Sequence, residues 1–214
     1  MAIAISTYAA GSIADYSDLI AEIRDMMDDA DYSDAVIARA MRKAEGEFNS
    51  LLRVPDMETR ATLAVTDGFA ALPSDYSQLR FVRTLGDYPA TLPNITAGEM
   101  GDGFAYPYGY SIEGREIRVV PAKTASISFT YYQKIPPLSE AIPANWLLTK
   151  HPSLYVAAIL HHLAGREVDR QARAERQQEI LGLIDIINAE GRKARWGAGP
   201  LVPVGIRQVN SARA

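Results

Sequence analysis

A chain of 214 residues that is 48% hydrophobic and 22% charged has the composition of an ordinary globular protein. At this length about 70% of the unfolded surface can be buried, so neither a disulfide nor a metal is needed to hold a core. The absence of cysteine excludes disulfides, thiolate nucleophiles and cysteine zinc sites, and no apolar run approaches the roughly 20 residues of a membrane span.

The net charge of -4 is unevenly spread. Between positions 15 and 34, eight acids stand against the single Arg24, whereas Arg192, Lys193, Arg195, Arg207 and Arg213 face no acid after position 192. Two surfaces with different partners, or solvated helix faces and a basic tail, account equally for that asymmetry. Met1 to Ser6 lack the basic start and apolar core of a signal peptide, so synthesis in the cytoplasm is expected.

Apolar spacing predicts a first helix over residues 17–29, from Leu19, Ile20, Ile23, Met26 and Met27, with Asp15 or Ser17 as N-cap. A second is predicted over 33–53 (Val36, Ile37, Ala40, Met41, Ala44, Phe48, Leu51, Leu52), stopped by Pro55. From Arg60 the period drops to two. Residues 61–66 and 69–72 flank Asp67-Gly68 as a hairpin, and 78–85 is a third strand. Residues 86–110, rich in Gly, Pro and Tyr, read as a long irregular loop. Residues 110–120 read as a hairpin turning at Glu113-Gly114-Arg115, and 126–134 as a final strand with Ile127, Phe129 and Tyr131 on one face. The sum is an antiparallel unit of five or six strands. After Ile135-Pro136-Pro137-Leu138 the helical period returns. Pro152 sits at N1 of one helix, and a long helix covers about 168–195, polar in its first half. Residues 197–206 alternate apolar side chains with Gly and Pro and read as an extended arm.

Chemistry is sparse. His161 and His162 are adjacent on a helix and point about 100° apart, so they do not readily share a metal; His162, on the apolar stripe, reads as a packed side chain. No Gly-x-Ser-x-Gly elbow or P-loop is present. Asp25, Asp28, Asp29 and Asp31 lack the EF-hand spacing and read as a solvated turn. Arg166, Arg170, Arg173, Arg176, Arg192, Lys193 and Arg195, with Tyr106, Tyr108 and Tyr110 as stacking surfaces, offer the best case for nucleic-acid binding. Interleaved Glu167, Asp169, Glu175 and Glu179 make an ion-paired helix face the better reading. No catalytic, cofactor-binding or metal residues are assigned, and an enzyme is not expected.

Three stretches carry a family resemblance. They are Tyr16-Ser17-Asp18-Leu19 with Ala44-Glu45-Gly46-Glu47-Phe48-Asn49; Leu72-Pro73-Ser74-Asp75-Tyr76 with Arg80-Phe81-Val82-Arg83; and residues 130–139 (Thr130 to Ser139) with Asn145-Trp146-Leu147-Leu148 and Arg192-Lys193-Ala194-Arg195-Trp196. In these the chain resembles the head-to-tail connector, or adaptor, proteins of tailed bacteriophages. The resemblance implies a homo-oligomeric ring, typically of twelve copies, in the neck of the virion. Such a ring docks under the portal protein, extends the channel through which DNA passes non-specifically, and offers a platform to a downstream tail or nozzle protein. No cofactor and no membrane partner are implied.

The expected fold is α+β. A four-helix core, from an N-terminal hairpin (1–56) and a C-terminal helical part (139–196), carries an inserted antiparallel β unit (57–138) and a portal-binding arm (197–214). Trp196, Leu201, Val202, Val204, Ile206 and Arg207 are the candidate portal contacts. Asp18, Glu22, Asp25, Asp28 and Asp29 are the candidate acidic face, toward the channel or a neighbouring subunit. A tail-completion or tail-terminator protein, and a DNA-binding packaging factor, are the competing readings.

Overall fold

The computed structural model describes residues 13–27, 32–86, 89–96, 106–164 and 170–196. Helix α1 (Tyr16–Met27) starts where Asp15 caps it: the Asp15 carboxylate accepts from the Asp18 N–H at 3.0 Å and from the Ser17 hydroxyl at 2.6 Å. Helix α2 (Asp34–Leu51) buries Ile37, Ala40, Met41, Ala44, Glu45 and Phe48. A single 3-10 turn (Pro55–Met57) then hands the chain to the sheets.

Seven strands follow: β1 (Glu58–Val65), β2 (Phe69–Ala71), β3 (Tyr76–Thr84), β4 (Thr91–Leu92), β5 (Gly109–Glu113), β6 (Glu116–Val120) and β7 (Ala125–Gln133). They form two sheets, ordered β1-β7-β3-β4 and β2-β6-β5. Among the described residues the antiparallel unit has seven strands in two sheets, where five or six strands were expected. The hairpin turn at Asp67-Gly68 takes positive φ at both residues, 51° and 85°, which is the type I′ geometry that joins twisted strands tightly. Every strand sends at least one side chain to a common core, including Val65, Ala70, Val82, Leu92, Tyr110, Ile117 and Phe129. The stretch expected to be irregular from 86 to 110 contains β4, paired with β3 through Val82 and Leu92, and an Asn94–Tyr110 bridge that is parallel. Two residues are too few for a periodic signal, which is why the strand was illegible.

Helices α3 (Trp146–Lys150), α4 (Pro152–Ala164) and α5 (Arg170–Trp196) complete the chain. Among the described residues five α-helices stand where four were expected; the added one, α3, is a turn and a half, capped by Asn145. Residues 152–163 of α4 include no exposed position, because α1, α2, α3 and α5 all pack on that helix. A second core gathers side chains of all five helices together with Tyr132, Ile135 and Leu138. Strand β7 lies between the two cores. Tyr131 enters the β core and Tyr132 the helical one, as the alternation of a strand requires. The expected face Ile127, Phe129, Tyr131 is buried, but so are Ser128 and Thr130 opposite it.

Candidate functional site

The three stretches that carried the resemblance meet at β7 and the segment after it. Glu45 lies on the buried side of α2, where its carboxylate accepts from the Leu138 N–H at 2.8 Å and from the Tyr155 hydroxyl at 3.4 Å. Burial pushes the Glu45 carboxyl above its ordinary range, partly offset by those two donors and by Arg42. One turn along, Asn49 Oδ1 accepts from the Ile135 N–H at 2.7 Å. Asn145 fastens the far end of the segment. Its Oδ1 caps α3 by accepting from the Leu148 N–H at 2.8 Å, and its Nδ2 donates to the Pro136 carbonyl and the Tyr155 hydroxyl, both at 2.8 Å. A proline-interrupted segment cannot satisfy its own backbone, so these side chains do it instead. The Tyr155 hydroxyl is pushed well above the ordinary tyrosine value, first by burial.

A second knot lies where α5 meets the sheet. Glu58 on β1 is ion-paired with both Arg80 on β3 and Arg195 on α5. Arg195 also donates to the Tyr132 hydroxyl at 2.9 Å, and both Arg53 and Arg195 lie 5.9 Å from the Tyr132 ring centre. Asn188 bridges α5 to the end of α2, accepting from the Arg53 N–H at 2.9 Å and donating to the Leu51 carbonyl at 3.1 Å. In the second stretch, Asp75 accepts from the Tyr131 hydroxyl at 2.8 Å; burial first, and then Asp75, raises the pKa of that hydroxyl to about 12. The arrangement holds helices, sheet and connecting segment in one fixed relation.

Asp18, Glu22 and Asp25 share one stripe of α1, with Asp18 and Asp25 exposed and Glu22 half-buried. Asp18 is partly engaged, accepting from the Ala14 N–H at 3.0 Å. Asp28 and Asp29 lie outside the described residues, as do Leu201, Val202, Val204, Ile206, Arg207 and the side chain of Trp196. The tyrosines offered as a stacking surface are not brought together: Tyr106 is exposed, whereas Tyr110 is buried in the β core. His161, not His162, is the fully buried member of the histidine pair. Because four helices pack on α4, its apolar stripe does not single out one inner face. His162 instead lines an open groove of about 460 Å3 with Lys43, Gly46, Glu47, Ser50 and Leu51. Its Nε2 lies 3.3 Å from the Glu47 carboxylate. Burial lowers its pKa; Glu47 opposes the shift, and His161 and Lys43 reinforce it. No helix among the described residues is long and apolar enough to cross a membrane.

Sequence reasoning missed Glu45, Asn49, Tyr155 and Asn188 as binding elements of this framework. The one legible signal was an acid, Glu45, beside Ala44 on an otherwise apolar helix stripe. No curated protein matches the chain. Residues 14–204 match the family model described as SU10 adaptor protein, a span that includes all three stretches and both knots. The chain therefore belongs to the SU10 adaptor protein family, and is a structural adaptor of a bacteriophage particle.

Proposed function

We propose that this adaptor is a head-to-tail connector: a ring, of twelve copies, seated under the portal protein in the virion neck. The ring extends the DNA channel and carries the downstream tail or nozzle protein. The observation that supports this best is the fastening of α5. Through Arg195 the last turn of that helix is tied to β1 and β7, so residues 197–214 continue from a fixed point. An arm that starts from a fixed point loses less entropy on docking than one hung from a frayed helix. Residues 197–214 are that arm, and the body (1–56, 57–138 and 139–196) is the platform.

In this reading Leu201, Val202, Val204 and Ile206 anchor in apolar hollows of the portal, with Trp196 and Arg207 at either end. Ordering such a segment costs about 1–2 kcal/mol per residue, so its few apolar side chains must supply the return. The acids Asp18, Glu22, Asp25, Asp28 and Asp29 face the channel or a neighbour; facing the channel, they repel passing DNA.

The test replaces Leu201, Val202, Val204 and Ile206 with serine and measures co-sedimentation with the cognate portal. The fold is expected to be unchanged by circular dichroism while portal binding is lost. Binding retained at the original affinity removes the arm from the account.

A further inference from the structure

Two glycines in the middle of exposed helix faces have no explanation within one chain. A Cβ added at Gly46 on α2 or at Gly182 on α5 would meet nothing within 4 Å. Gly191, by contrast, is needed: a Cβ there would come within 2.8 Å of Val54. A glycine inside a helix weakens it relative to alanine, so one retained without a packing reason in the chain itself calls for a reason outside it.

The neighbours of these glycines supply one. Along α2 the exposed positions Arg39, Lys43, Gly46 and Ser50 follow one another at intervals of four, three and four residues. Along α5 the exposed positions Glu175, Glu179, Gly182 and Ile186 follow one another at the same intervals. Each series forms one stripe of its helix. Cation stands to acid, glycine to glycine, and the small Ser50 to the large Ile186, which is 57% exposed. The α2 stripe borders the groove lined by Gly46, Ser50, Leu51 and His162, and Leu51 is itself 45% exposed. The α5 stripe lies opposite the buried Ile180, Ile184 and Ile187. With α4 packed against both helices, the two stripes belong to different outer faces of the body.

We propose that the Glu175–Glu179–Gly182–Ile186 stripe of α5 docks on the Arg39–Lys43–Gly46–Ser50 stripe and groove of α2 in a second copy of this chain. The two glycines let the helix axes approach closely, Ile186 enters the groove, and two ion pairs set the register. The contact is heterologous, so repetition closes a ring. The proposal rests on the ring reading above and names its subunit interface.

Within one copy, Asn188 is level with Leu51 and Arg53, Gly191 with Val54 and Pro55, and Arg195 with Glu58, so the second half of α5 and the segment that follows α2 run the same way.

The test uses a chain that contains no cysteine of its own. Phage particles are assembled with full chain carrying Gly46→Cys and Gly182→Cys together, oxidised, and run on a denaturing non-reducing gel. Both positions open into free space, so the substitutions leave the fold unstrained. A ladder of multimers is expected from the double variant, a dimer only from mixed single variants, and neither from a single variant alone. In parallel, Lys43→Glu or Glu179→Lys lowers ring incorporation about tenfold, and the two together restore it to within about twofold. Electron microscopy of the same particles separates the failures. Rings visible without a ladder, or without rescue by the double swap, overturn this interface and leave the ring reading standing; particles without any ring overturn both.

Discussion

The Arg195 guanidinium donates to the Tyr132 hydroxyl at 2.9 Å while ion-paired with Glu58, which fastens the last turn of α5 to β7 and β1 at once. Arg80 shares Glu58 from the other side, so one carboxylate holds two strands and a helix together. Half-buried, multiply shared pairs of this kind lose more on truncation than isolated surface pairs, because the remaining partner is left without its counter-charge.

Replacing Arg195 with alanine is therefore expected to destabilise the chain by about 1–3 kcal/mol, whereas Tyr132→Phe, which removes one hydrogen bond, costs about 1 kcal/mol. Urea unfolding of the full chain measures both. Faster amide exchange in residues 188–196 of the alanine variant would locate the loss at the end of α5; exchange unchanged there would show that Arg195 does not fasten it.

Asn145 makes three hydrogen bonds with one side chain, capping α3 and holding the Pro136 carbonyl and the Tyr155 hydroxyl. Asn145→Ala loses the cap and leaves buried polar partners, for an expected cost of about 2–4 kcal/mol. Asn145→Asp keeps the cap acceptor but sets a buried carboxylate against the Pro136 carbonyl oxygen, so at neutral pH its cost should be at least that of alanine. Thermal unfolding of the two variants ranks them.

Glu45 gives the chain a definite pH dependence. Burial raises its folded pKa above the ordinary 4.5, so the folded state favours the protonated form. That contribution to stability is complete below the ordinary value and is lost as pH rises through the raised one. Glu45→Gln keeps an acceptor for the Leu138 N–H without a charge. The variant's stability relative to wild type should therefore be greater at pH 8 than at pH 4.5. Chemical unfolding at the two pH values checks the sign, and an equal difference at both would contradict it.

The glycines of α5 should respond in opposite directions. Gly182→Ala fills open space and gains helix propensity, raising the stability of the isolated chain by about 0.5–1 kcal/mol. Gly191→Ala drives a methyl to within 2.8 Å of Val54 and 3.1 Å of Pro55, and should destabilise despite the same gain in propensity. Paired denaturation curves suffice to compare them.

Elements with a long periodic signal were legible in the sequence. The stripes of α1 and α2, apart from the exposed Met26 and Leu51, the Asp67-Gly68 hairpin and the proline start of α4 lie where spacing and turn chemistry placed them. Short or doubly buried elements were not. β4 has two residues and α3 five, too few for any period, and β7 hides its alternation because each of its faces meets other protein. The two sheets were illegible for another reason: β1 and β2 are joined by a tight hairpin, yet their main partners, β7 and β6, come from far along the chain. The bonds of Glu45 and Asn49 to the segment after β7 span 93 and 86 positions, and local pattern carries only a hint of them in the acid on the α2 stripe.

The most direct test of the connector reading is electron microscopy of the full chain mixed with its cognate portal, beside each protein alone. The account predicts a twelve-fold ring stacked coaxially on the narrow end of the portal and lost when Leu201, Val202, Val204 and Ile206 are replaced by serine. A chain that leaves the portal bare and instead caps tail tubes would contradict it.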